Sequence, residues 1–404
     1  ELRTVVENDK IDNKKVFPLE LNTMPGWAGS SWYFYRYMDS QNSDTFVGKK
    51  AVNYWQDVDL YLGGSEHATG HLLYSRFWQK FLFDLKLLPV DEYAKKLINQ
   101  GMILGNSAFI YRKPGSQKYI SKDLLDSVEG YDPIRVDVDL VNLSDELDID
   151  RLRMWQKQFD TAEFKMNNGV FKVGREVEKM SKSKFNVINP DRICEKYGAD
   201  TLRMYEMFLG PIEQAKPWNT AGISGVHNFL KKYLRLFYAE NRWIVNDKEP
   251  NKKELKILHE TIKRVSIDIE NFSFNTCVSS FMICVNELTS LKCHSREILT
   301  PLTVLLSPFA PHLAEEVWEK LGNKTTIVYN SFPEVNESYL IEDTKNYPVS
   351  FNGKMRFIIP LSLNLPQEDI KKEVLNDVRT VEYLKGKTPK KWIIIPEKII
   401  NIVF

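Results

Sequence analysis

Hydrophobic and polar positions change their spacing several times along the chain, and the changes predict successive elements. Residues 57–62 alternate and are followed by Gly63 and Gly64, which predicts a short strand that ends in a tight turn. From residue 67 to about residue 87 the apolar positions recur at helical spacing, and Ser65 can cap that helix. A strand, a glycine turn and a helix in this order are typical of a nucleotide-binding α/β sheet.

The later spacing predicts further domains. Short strand-like and turn-like pieces indicate an α+β insertion, and long amphipathic segments with few glycines predict a helical bundle. After a linker at residues 336–347, the tail predicts a strand, a helix and two strands at 356–364, 367–378, 392–396 and 399–404. The expected fold is multidomain: 1–103 for the α/β part with a polar connector at 1–20, 104–172 for the α+β insertion, 173–211 for a lysine-rich loop and the helices after it, 212–340 for the α-helical bundle, and 346–404 for a small α+β domain.

Composition and charge argue against several classes of protein. The 404 residues, 43% hydrophobic and 27% charged, are those of an ordinary globular chain of roughly two to four domains. A net charge of +1 argues against a general nucleic-acid coat protein, so any RNA contact must come from local patches. No apolar run approaches the roughly 20 residues of a membrane span, and no signal-peptide pattern opens the chain. The four cysteines form no C-x-x-C pair, which argues against a zinc ribbon or a disulfide framework and fits a cytoplasmic protein.

A lysine-rich run is the first candidate for chemistry. Three lysines and two serines fall within residues 179–184, just before the helix start at residues 189–191. A lysine that meets a leaving pyrophosphate as charge develops on it would lower the barrier of an ATP-cleaving adenylation. The alternative is a solvated lysine cluster, the usual nature of like-charge runs. The sequence has neither G-x-G-x-x-G nor G-x-x-x-x-G-K-[ST], which argues against a dehydrogenase and a P-loop ATPase.

Several motifs resemble one group of enzymes. The run K-M-S-K-S, followed by N-P-D-x-I and by Y-G-A-D-T-L-R, resembles the second signature of class I aminoacyl-tRNA synthetases. S-S-W-Y at residues 30–33, Y-L-G-G-S-E-H-A-T-G-H at 61–71 and S-P-F-A-P-H-L-A-E-E-V-W at 307–318 are similar to the leucyl, isoleucyl and valyl subgroup. The H-x-x-x-H spacing, the E-H-A that opens it and the terminal N-I-V-F resemble leucyl-tRNA synthetases in particular.

The resemblance covers nearly the whole chain and implies a function for the lysine-rich run. It implies the second half of a Rossmann-type class I catalytic domain, an anticodon-binding-type bundle, and the activity of a leucine–tRNA ligase. Such an enzyme activates leucine with ATP, supplied as its Mg²⁺ complex, and transfers it to tRNA(Leu). Lys179 and Lys182 would be catalytic, and Lys182, with Met180, Ser181 and Ser183, would contact the ATP phosphates.

A second set of candidates surrounds His67 and His71, which are four residues apart and share a helix face. They could form half a zinc site, but Ala68 stands where an H-E-x-x-H protease needs glutamate, and no third ligand is evident, so we predict no bound metal. They could also be a core pair. The resemblance instead implies that His67 and His71 line the leucine pocket with Tyr33 and Trp27, for which plain core packing is the alternative.

The nucleotide is expected beside the glycine turn. Gly63 and Gly64 allow a close backbone approach, and Glu66 can accept a hydrogen bond from a ribose hydroxyl. Gln100 lies in a segment that resembles the one closing over adenine and ribose in this family, and a plain turn is the alternative there.

The chain also departs from the family that it resembles. It has no His-Ile-Gly-His signature and no recognisable editing domain, and it begins with Glu1 rather than Met. We therefore expect a fragment or processed product that is inactive alone in leucine-dependent ATP–pyrophosphate exchange. Its partner would be an N-terminal catalytic and editing half, in cis or as a separate subunit. Phe185 stands where the family most often has glycine, and a bulky side chain restricts positive φ.

Lysines near the end of the chain are the candidate RNA contact. Lys385, Lys387, Lys390 and Lys391 are close together in sequence and could bind the phosphates of tRNA. A solvated hairpin loop explains them equally well. For the whole chain, a non-catalytic tRNA- or protein-binding module derived from a synthetase is the alternative function.

Overall fold

The computed structural model describes residues 3–5, 7–19, 26–340, 344–363, 365–396 and 398–404. Helices and strands are mixed along the chain, which divides into two compact units, in agreement with the expected multidomain fold. The first unit contains Glu1–Arg235, Ser266–Ile283 and Leu306–Val317, and the second contains Leu236–Val265, Cys284–Leu305 and Trp318–Phe404. In the part that the structure describes, no helix is long and apolar enough to cross a lipid bilayer.

Most of the described strands have two to six residues, and three longer ones have eight, nine or ten. In chain order they are β1 (Arg3–Val5), β2 (Val16–Pro18), β3 (Tyr61–Gly64), β4 (Leu97–Gln100), β5 (Ile103–Arg112), β6 (Lys118–Ile120), β7 (Asp132–Val136), β8 (Glu163–Lys165), β9 (Gly174–Lys179), β10 (Lys216–Pro217), β11 (Tyr238–Ala239), β12 (Arg242–Trp243), β13 (Thr344–Phe351), β14 (Lys354–Ser362), β15 (Lys391–Ile395) and β16 (Ile399–Val403).

The longest helices lie between residues 252 and 306. In chain order the helices are α1 (Tyr33–Met38), α2 (Lys49–Trp55), α3 (Leu73–Asp84), α4 (Ile149–Trp155), α5 (Pro190–Tyr197), α6 (Ala199–Phe208), α7 (Ile223–Leu234), α8 (Lys252–Glu270), α9 (Phe274–Ser290), α10 (Arg296–Leu306), α11 (Pro311–Lys320), α12 (Gln367–Asn376) and α13 (Val378–Leu384).

The first sheet is the parallel pair β3 and β4, in which Gly64 lies opposite Gln100. Parallel neighbours need a crossover connection, and the segment containing α3 supplies it. Tyr61 of β3 and Leu82 of α3 are buried in one core cluster, which also takes Phe34 from α1. The carboxyl ends of the two strands therefore bring Gly64 and Gln100 side by side.

Strand β5 organises the second sheet because it pairs along its length with several strands. Residues 104–109 pair antiparallel with residues 174–179 of β9, and residues 108–112 pair antiparallel with β7. β10 pairs parallel with the start of β5, and β6, which pairs with its end, also pairs with β8. Ile110 of β5, Leu152 of α4 and Phe159 are fully buried in the core that this sheet covers.

Local sequence determines where the helices after β9 begin and end. Asn189 caps α5, because its side chain accepts a hydrogen bond from the backbone N–H of Asp191 at 2.9 Å. Pro190 occupies the first helical position, where a missing N–H costs nothing. Gly198, with a φ of 88°, separates α5 from α6.

Two charged residues of α6 hold the segment 306–317 of the same unit. The carboxylate of Asp200 accepts hydrogen bonds from the backbone N–H groups of His312, at 3.3 Å, and Leu313, at 2.7 Å. These N–H groups belong to the first turn of α11, which has no partner for them within the helix. Arg203 donates to the carbonyl of Pro308 at 2.9 Å.

The second unit contains a four-stranded sheet in the order β14, β13, β16, β15. β13 is antiparallel to β14 and parallel to β16, and β15 is antiparallel to β16. Ile370 and Val374 of α12 and Leu384 of α13 are buried against Val349 and Ile400 of the sheet.

Two predictions around the first sheet are wrong in detail. The strand is Tyr61–Gly64 rather than 57–62, so the two glycines lie inside it and do not form the predicted turn. The α-helix does not start near residue 67. A 3-10 turn at Ser65–His67 and a π-helical turn at Ala68–Leu72 come first, and α3 begins at Leu73. A π-helical turn of this kind is rare and occurs frequently at functional sites.

Four other predictions need correction. The linker at 336–347, of which residues 341–343 lie outside the described residues, overlaps β13. The tail helix at 367–378 is two helices, α12 and α13, with Asp377 between them. The polar connector, of which residues 1, 2, 6 and 20 are likewise undescribed, contains the parallel pair β1 and β2. The insertion's sheet also takes β9 and β10 from outside residues 104–172.

Candidate active site

The lysine loop, residues 179–184, lies at the end of β9. Lys179 is the last residue of that strand, and Ser181 precedes a 3-10 turn at Lys182–Lys184. Phe185 then adopts a left-handed conformation with a φ of 52°, in a turn that follows the 3-10 segment. Lys179, Lys182 and Ser183 are exposed at the surface of the loop, whereas Met180 and Ser181 are half-buried.

The buried side chain of Asn186 connects the loop to β5. Its Oδ1 accepts a hydrogen bond from the backbone N–H of Ser181 at 2.9 Å. Its Nδ2 donates to Ser107 Oγ at 2.9 Å and to the backbone carbonyl of Lys179 at 3.3 Å. The Lys179 carbonyl and the Ser181 N–H, on either side of Met180, are therefore attached to one carboxamide, which is completely inaccessible to solvent.

A charge cluster beneath the loop distinguishes one of its lysines from the other two. Glu178 forms ion pairs with Arg135 at 2.9 Å and with Lys184 at 3.1 Å, and accepts a hydrogen bond from Ser107 at 2.7 Å. The hydrogen bonds from Arg135 and Ser107 lower the pKa of Glu178 to about 2. Among the described residues, Lys179 and Lys182 form no ion pair, so their charges remain available to an anion.

Phe185 attaches the end of the loop to the insertion. Its ring meets the ring of Trp155 edge-on, with 4.9 Å between centroids and an interplanar angle of 89°. Its carbonyl accepts a hydrogen bond from the backbone N–H of Val138 at 3.0 Å. The position after the lysines is therefore a bulky residue held in a backbone conformation that favours glycine.

The two histidines differ in their surroundings. His71 Nε2 lies 2.5 Å from the hydroxyl of Tyr61, and Ser75 Oγ approaches the same ring at 3.4 Å. Burial and then the neighbouring His67 lower the pKa of His71, and burial raises that of Tyr61. His67 is exposed, and its Nε2 is 3.9 Å from a carboxylate oxygen of Glu66.

The aromatic candidates lie close to the π-helical turn. The ring of Tyr33 is 5.9 Å from that of His71 and 6.4 Å from that of Tyr61, and Tyr33 remains 37% exposed. Trp27 stacks on Tyr74 with 6.3 Å between centroids. Its ring also covers Gly70, where a Cβ atom would come within 2.9 Å of the indole. The structure thus groups Trp27, Tyr33, His67 and His71 around one turn.

The predicted nucleotide residues cluster at the carboxyl ends of β3 and β4. The carboxylate of Glu66 lies directly against Gly64, where a Cβ atom would be 2.1 Å from an oxygen of Glu66. Gly63 is open: apart from its chain neighbours, no heavy atom of the described residues lies within 4 Å of the position of a Cβ atom. Gln100 lines a cavity of about 320 Å³, and Arg203 and Glu206 are among its other lining residues.

The two groups of candidates are linked through β5. Gln100 is four residues before Leu104, and Leu104 is the register partner of Lys179. Four residues of extended chain span roughly 14 Å at most, so the lysine loop and the ends of β3 and β4 belong to one region of the first unit. No group of three or more histidine, cysteine or acidic side chains in the described part of the chain could hold a metal ion.

The C-terminal lysines lie in the second unit, at the turn between α13 and β15. Lys385 ends α13 with a left-handed φ of 47°, and Gly386 continues the turn with a φ of 81°. Lys387 Nζ lies 5.4 Å from the centroid of the Phe404 ring. Lys390 and Lys391 follow, and Lys391 is the first residue of β15.

Two families match parts of the chain. Residues 166–218, which include the lysine loop, match the family described as tRNA synthetases class I (I, L, M and V). Residues 251–374 match the anticodon-binding domain of tRNA ligase. The sequence is 61% identical over 97% of its length to the leucine–tRNA ligase of Christiangramia forsetii, and 60% identical over 99% to that of Flavobacterium johnsoniae.

The chain belongs to the leucyl-tRNA synthetase family. It spans 41% and 42% of the lengths of the two leucyl-tRNA synthetases just named. A solved structure, the ternary complex of an Agrobacterium radiobacter leucyl-tRNA synthetase with tRNA and LeuAMS, is similar to it with a TM-score of 0.56 and 26% identity. That similarity covers 93% of this chain and 42% of the solved one.

Family resemblance and residue type did not identify every residue of the candidate site in this chain. Asn186 and Ser107 were not predicted, because isolated polar residues usually lie at the surface and nothing marks these two as buried. Gly105 carries the one local signal. A Cβ atom there would come within 2.7 Å of Asn186, so the glycine marks a close approach to β5.

Proposed function

We propose that the chain is part of a leucine–tRNA ligase and that its lysine loop acts on ATP during leucine activation. The observation that supports this most directly is the division among the loop lysines. Lys184 is paired with Glu178, while Lys179 and Lys182 are exposed and, among the described residues, without a counter-ion. In the finer fold that we propose, residues 1–103 are the second half of a Rossmann-type catalytic domain.

In the proposed first step, a carboxylate oxygen of leucine attacks the α-phosphorus of ATP, which enters as its Mg²⁺ complex. A bond forms between that oxygen and the α-phosphorus, the bond to the β-phosphate bridge breaks, and pyrophosphate leaves with the electron pair. Negative charge therefore grows on the leaving group. Lys182 would stabilise that charge, because an exposed ammonium on a flexible stem can follow the departing phosphates. Lys179, Met180, Ser181 and Ser183 would complete this contact.

The leucine side chain would lie beside the π-helical turn, against Tyr33 and Trp27. Tyr61 supports this assignment, because its hydroxyl holds the His71 ring in one orientation. The lowered pKa of His71 favours a neutral imidazole, which suits a pocket for an apolar side chain. His67 and Glu66 are exposed at the rim, within reach of polar groups of leucine or ribose. Gly63, Gly64 and Gln100 would contact the nucleoside.

The proposed partners are leucine, tRNA(Leu) and an N-terminal catalytic and editing half, whether in cis or separate. We place the reaction in the cytoplasm, since Cys194, Cys277, Cys284 and Cys293 form no disulfide among the described residues. The match to an anticodon-binding domain supports tRNA as a partner. The lysines at positions 385, 387, 390 and 391 would contact its phosphates.

The test of activation is leucine-dependent ATP–pyrophosphate exchange by the complete gene product that contains this chain. Lys182→Met should lower the exchange rate by about 100- to 1,000-fold, the effect of losing one group that stabilises transition-state charge. The control is Lys184→Met, which removes the same charge from a lysine already paired with Glu178 and should cost less than tenfold. Equal effects of the two substitutions would contradict the assignment of Lys182.

The tRNA contact can be tested through its salt dependence. Replacing Lys387 and Lys390 by alanine should make the slope of log affinity against log salt shallower by about 1.5, since each lost phosphate contact removes roughly 0.7–0.9. The matched control is the pair Lys371 and Lys372, which lie in the same unit and are engaged by Glu368 and Asp369. A slope unchanged by the first pair would refute the contact.

A further inference from the structure

Asn186 lies just beyond the lysine loop, yet it bonds to backbone atoms on both sides of Met180. The carbonyl of Lys179 precedes Met180 and the N–H of Ser181 follows it, and both are bonded to the Asn186 side chain. This carboxamide therefore determines the direction in which the chain leaves β9. Because Lys182 is the next residue after Ser181, the same bonds determine where its stem begins.

Only an amide of this size fits the observed bonds. A carboxamide offers two N–H donors and one carbonyl acceptor. Here the donors bond to Ser107 and to the Lys179 carbonyl, while the acceptor takes the Ser181 N–H, so each group is used. Aspartate has the same shape without the donors. A longer side chain would meet Gly105, which already lies against Asn186 so closely that a Cβ atom there would be 2.7 Å from its backbone oxygen.

Ser107 links this amide to the charge cluster. Its hydroxyl accepts from Asn186 at 2.9 Å and donates to Glu178 at 2.7 Å, and it is completely buried in β5. Glu178 in turn binds Lys184, which is on the far side of the 3-10 turn. Both sides of the loop are thus fixed to β5 through one connected set of hydrogen bonds, while Lys182 projects into solvent.

We propose that Asn186 is a positioning residue for Lys182 and acts through the backbone of the loop without touching ATP. This inference rests on the proposed function of the loop in leucine activation. Removing the carboxamide leaves the Ser181 N–H and the Lys179 carbonyl without this partner, so the backbone around Met180 samples other directions. The ammonium of Lys182 then spends less time where pyrophosphate leaves, and both ATP binding and the rate of activation fall.

The decisive comparison is Asn186→Ala against Gln79→Ala in the complete gene product. Gln79 is an equally buried carboxamide, 1% exposed, that accepts from the Tyr35 hydroxyl and donates to the Val90 carbonyl. Both substitutions should lower the melting temperature. Asn186→Ala should in addition lower kcat/KM for ATP in the exchange reaction by about 10- to 100-fold, with a higher KM for ATP and an unchanged KM for leucine. A drop in melting temperature alone would overturn the proposal.

A second measurement needs no activity. In this chain alone, trypsin should cut after Lys182 at least about fivefold faster in Asn186→Ala than in Gln79→Ala, because cleavage follows local opening. Ser107→Ala should act in the same direction and add little to Asn186→Ala, since the two groups form one connection. Equal cleavage rates, or fully additive effects, would refute the coupling.

The same experiments distinguish the proposal from the function on which it rests. If Lys182→Met abolishes exchange while Asn186→Ala leaves the KM for ATP unchanged, the positioning role is wrong and the loop function stands. If neither substitution changes exchange, the proposed function of the loop itself is wrong.

Discussion

Phe185 tests whether the lysine loop holds a strained backbone. Its φ of 52° and ψ of 32° lie in the left-handed region, which costs a residue with a Cβ atom roughly 1–2 kcal/mol. Alanine at this position keeps that cost, whereas glycine removes it. Glycine also makes the unfolded chain more flexible, which costs about 0.4–1 kcal/mol. The difference predicts that Phe185→Gly is more stable than Phe185→Ala by about 1 kcal/mol.

Both variants should be less stable than the natural chain because both lose the aromatic ring. The ring is half-buried, so its removal costs about 1 kcal/mol of apolar burial. The edge-on contact with Trp155 adds roughly 0.5–1.5 kcal/mol. We therefore expect a loss of about 2 kcal/mol for alanine and about 1 kcal/mol for glycine.

Hydrogen exchange of the Val138 amide measures this difference locally. That N–H donates to the Phe185 carbonyl at 3.0 Å, so it exchanges when the end of the loop opens. It should exchange about fivefold faster in Phe185→Ala than in Phe185→Gly. The control is Val187, an exposed residue that is not among those with positive φ, where glycine should be the less stable of the two substitutions. If alanine protects the Val138 amide as well as glycine does, position 185 is not left-handed in solution.

Three further predictions concern other parts of the first unit. Gly101→Ala should destabilise this unit by at least about 3 kcal/mol, because a Cβ atom would be 2.0 Å from the Gln214 backbone. Gly225→Ala, at a position in α7 with open space around it, should stabilise the unit by about 0.5–1 kcal/mol, and the melting temperatures of the two variants check both predictions. Asp200→Ala should lower the free energy of unfolding by about 1–2 kcal/mol, because α11 loses its cap. Denaturant unfolding measures this loss, and the control Asp200→Asn should lose less. The pKa of Glu178 in the folded chain is about 2, below its ordinary 4.5, so the stability that it contributes is complete above about pH 4.5 and is lost as the pH falls towards 2. Over that pH range the melting temperature of Glu178→Gln should therefore fall less than that of the natural chain.

The elements that could be predicted from the sequence are those with local causes. The helices after β9 follow from Asn189, Pro190 and Gly198, which act on their own neighbourhood. β13 was missed because Pro348 and the polar residues before it look unlike a central strand. Pro348 is accommodated because β16 pairs with β13 only from Val349 onward, so at the proline the strand has a partner on one side alone.

The candidate site shows the same limit. The lysines and histidines carry recognisable spacing and can be identified from the sequence. The π-helical turn at Ala68–Leu72 and the left-handed Phe185 have no local signature, since each depends on what packs against it. Asn186 is the clearest example, because its partner Ser107 lies 79 residues earlier in the chain. A long-range contact of this kind cannot be predicted from residue type or spacing.

The antiparallel pairing of β5 with β9 also bears on how the gene can change length. Phe109 and Gly174 are register partners, so the chain leaves this hairpin at one point and returns to it at nearly the same place. Residues 110–173 therefore form one continuous segment between two paired strands. A deletion or duplication within residues 110–173 can keep the pairing of residues 104–109 with residues 174–179. The residue at which the lysine loop begins, Lys179, then stays in the same place on β5. The pairing of β5 with β9 would thus allow the length of residues 110–173 to evolve without moving the lysine loop, provided that new contacts replace those of Trp155 and Val138 with Phe185.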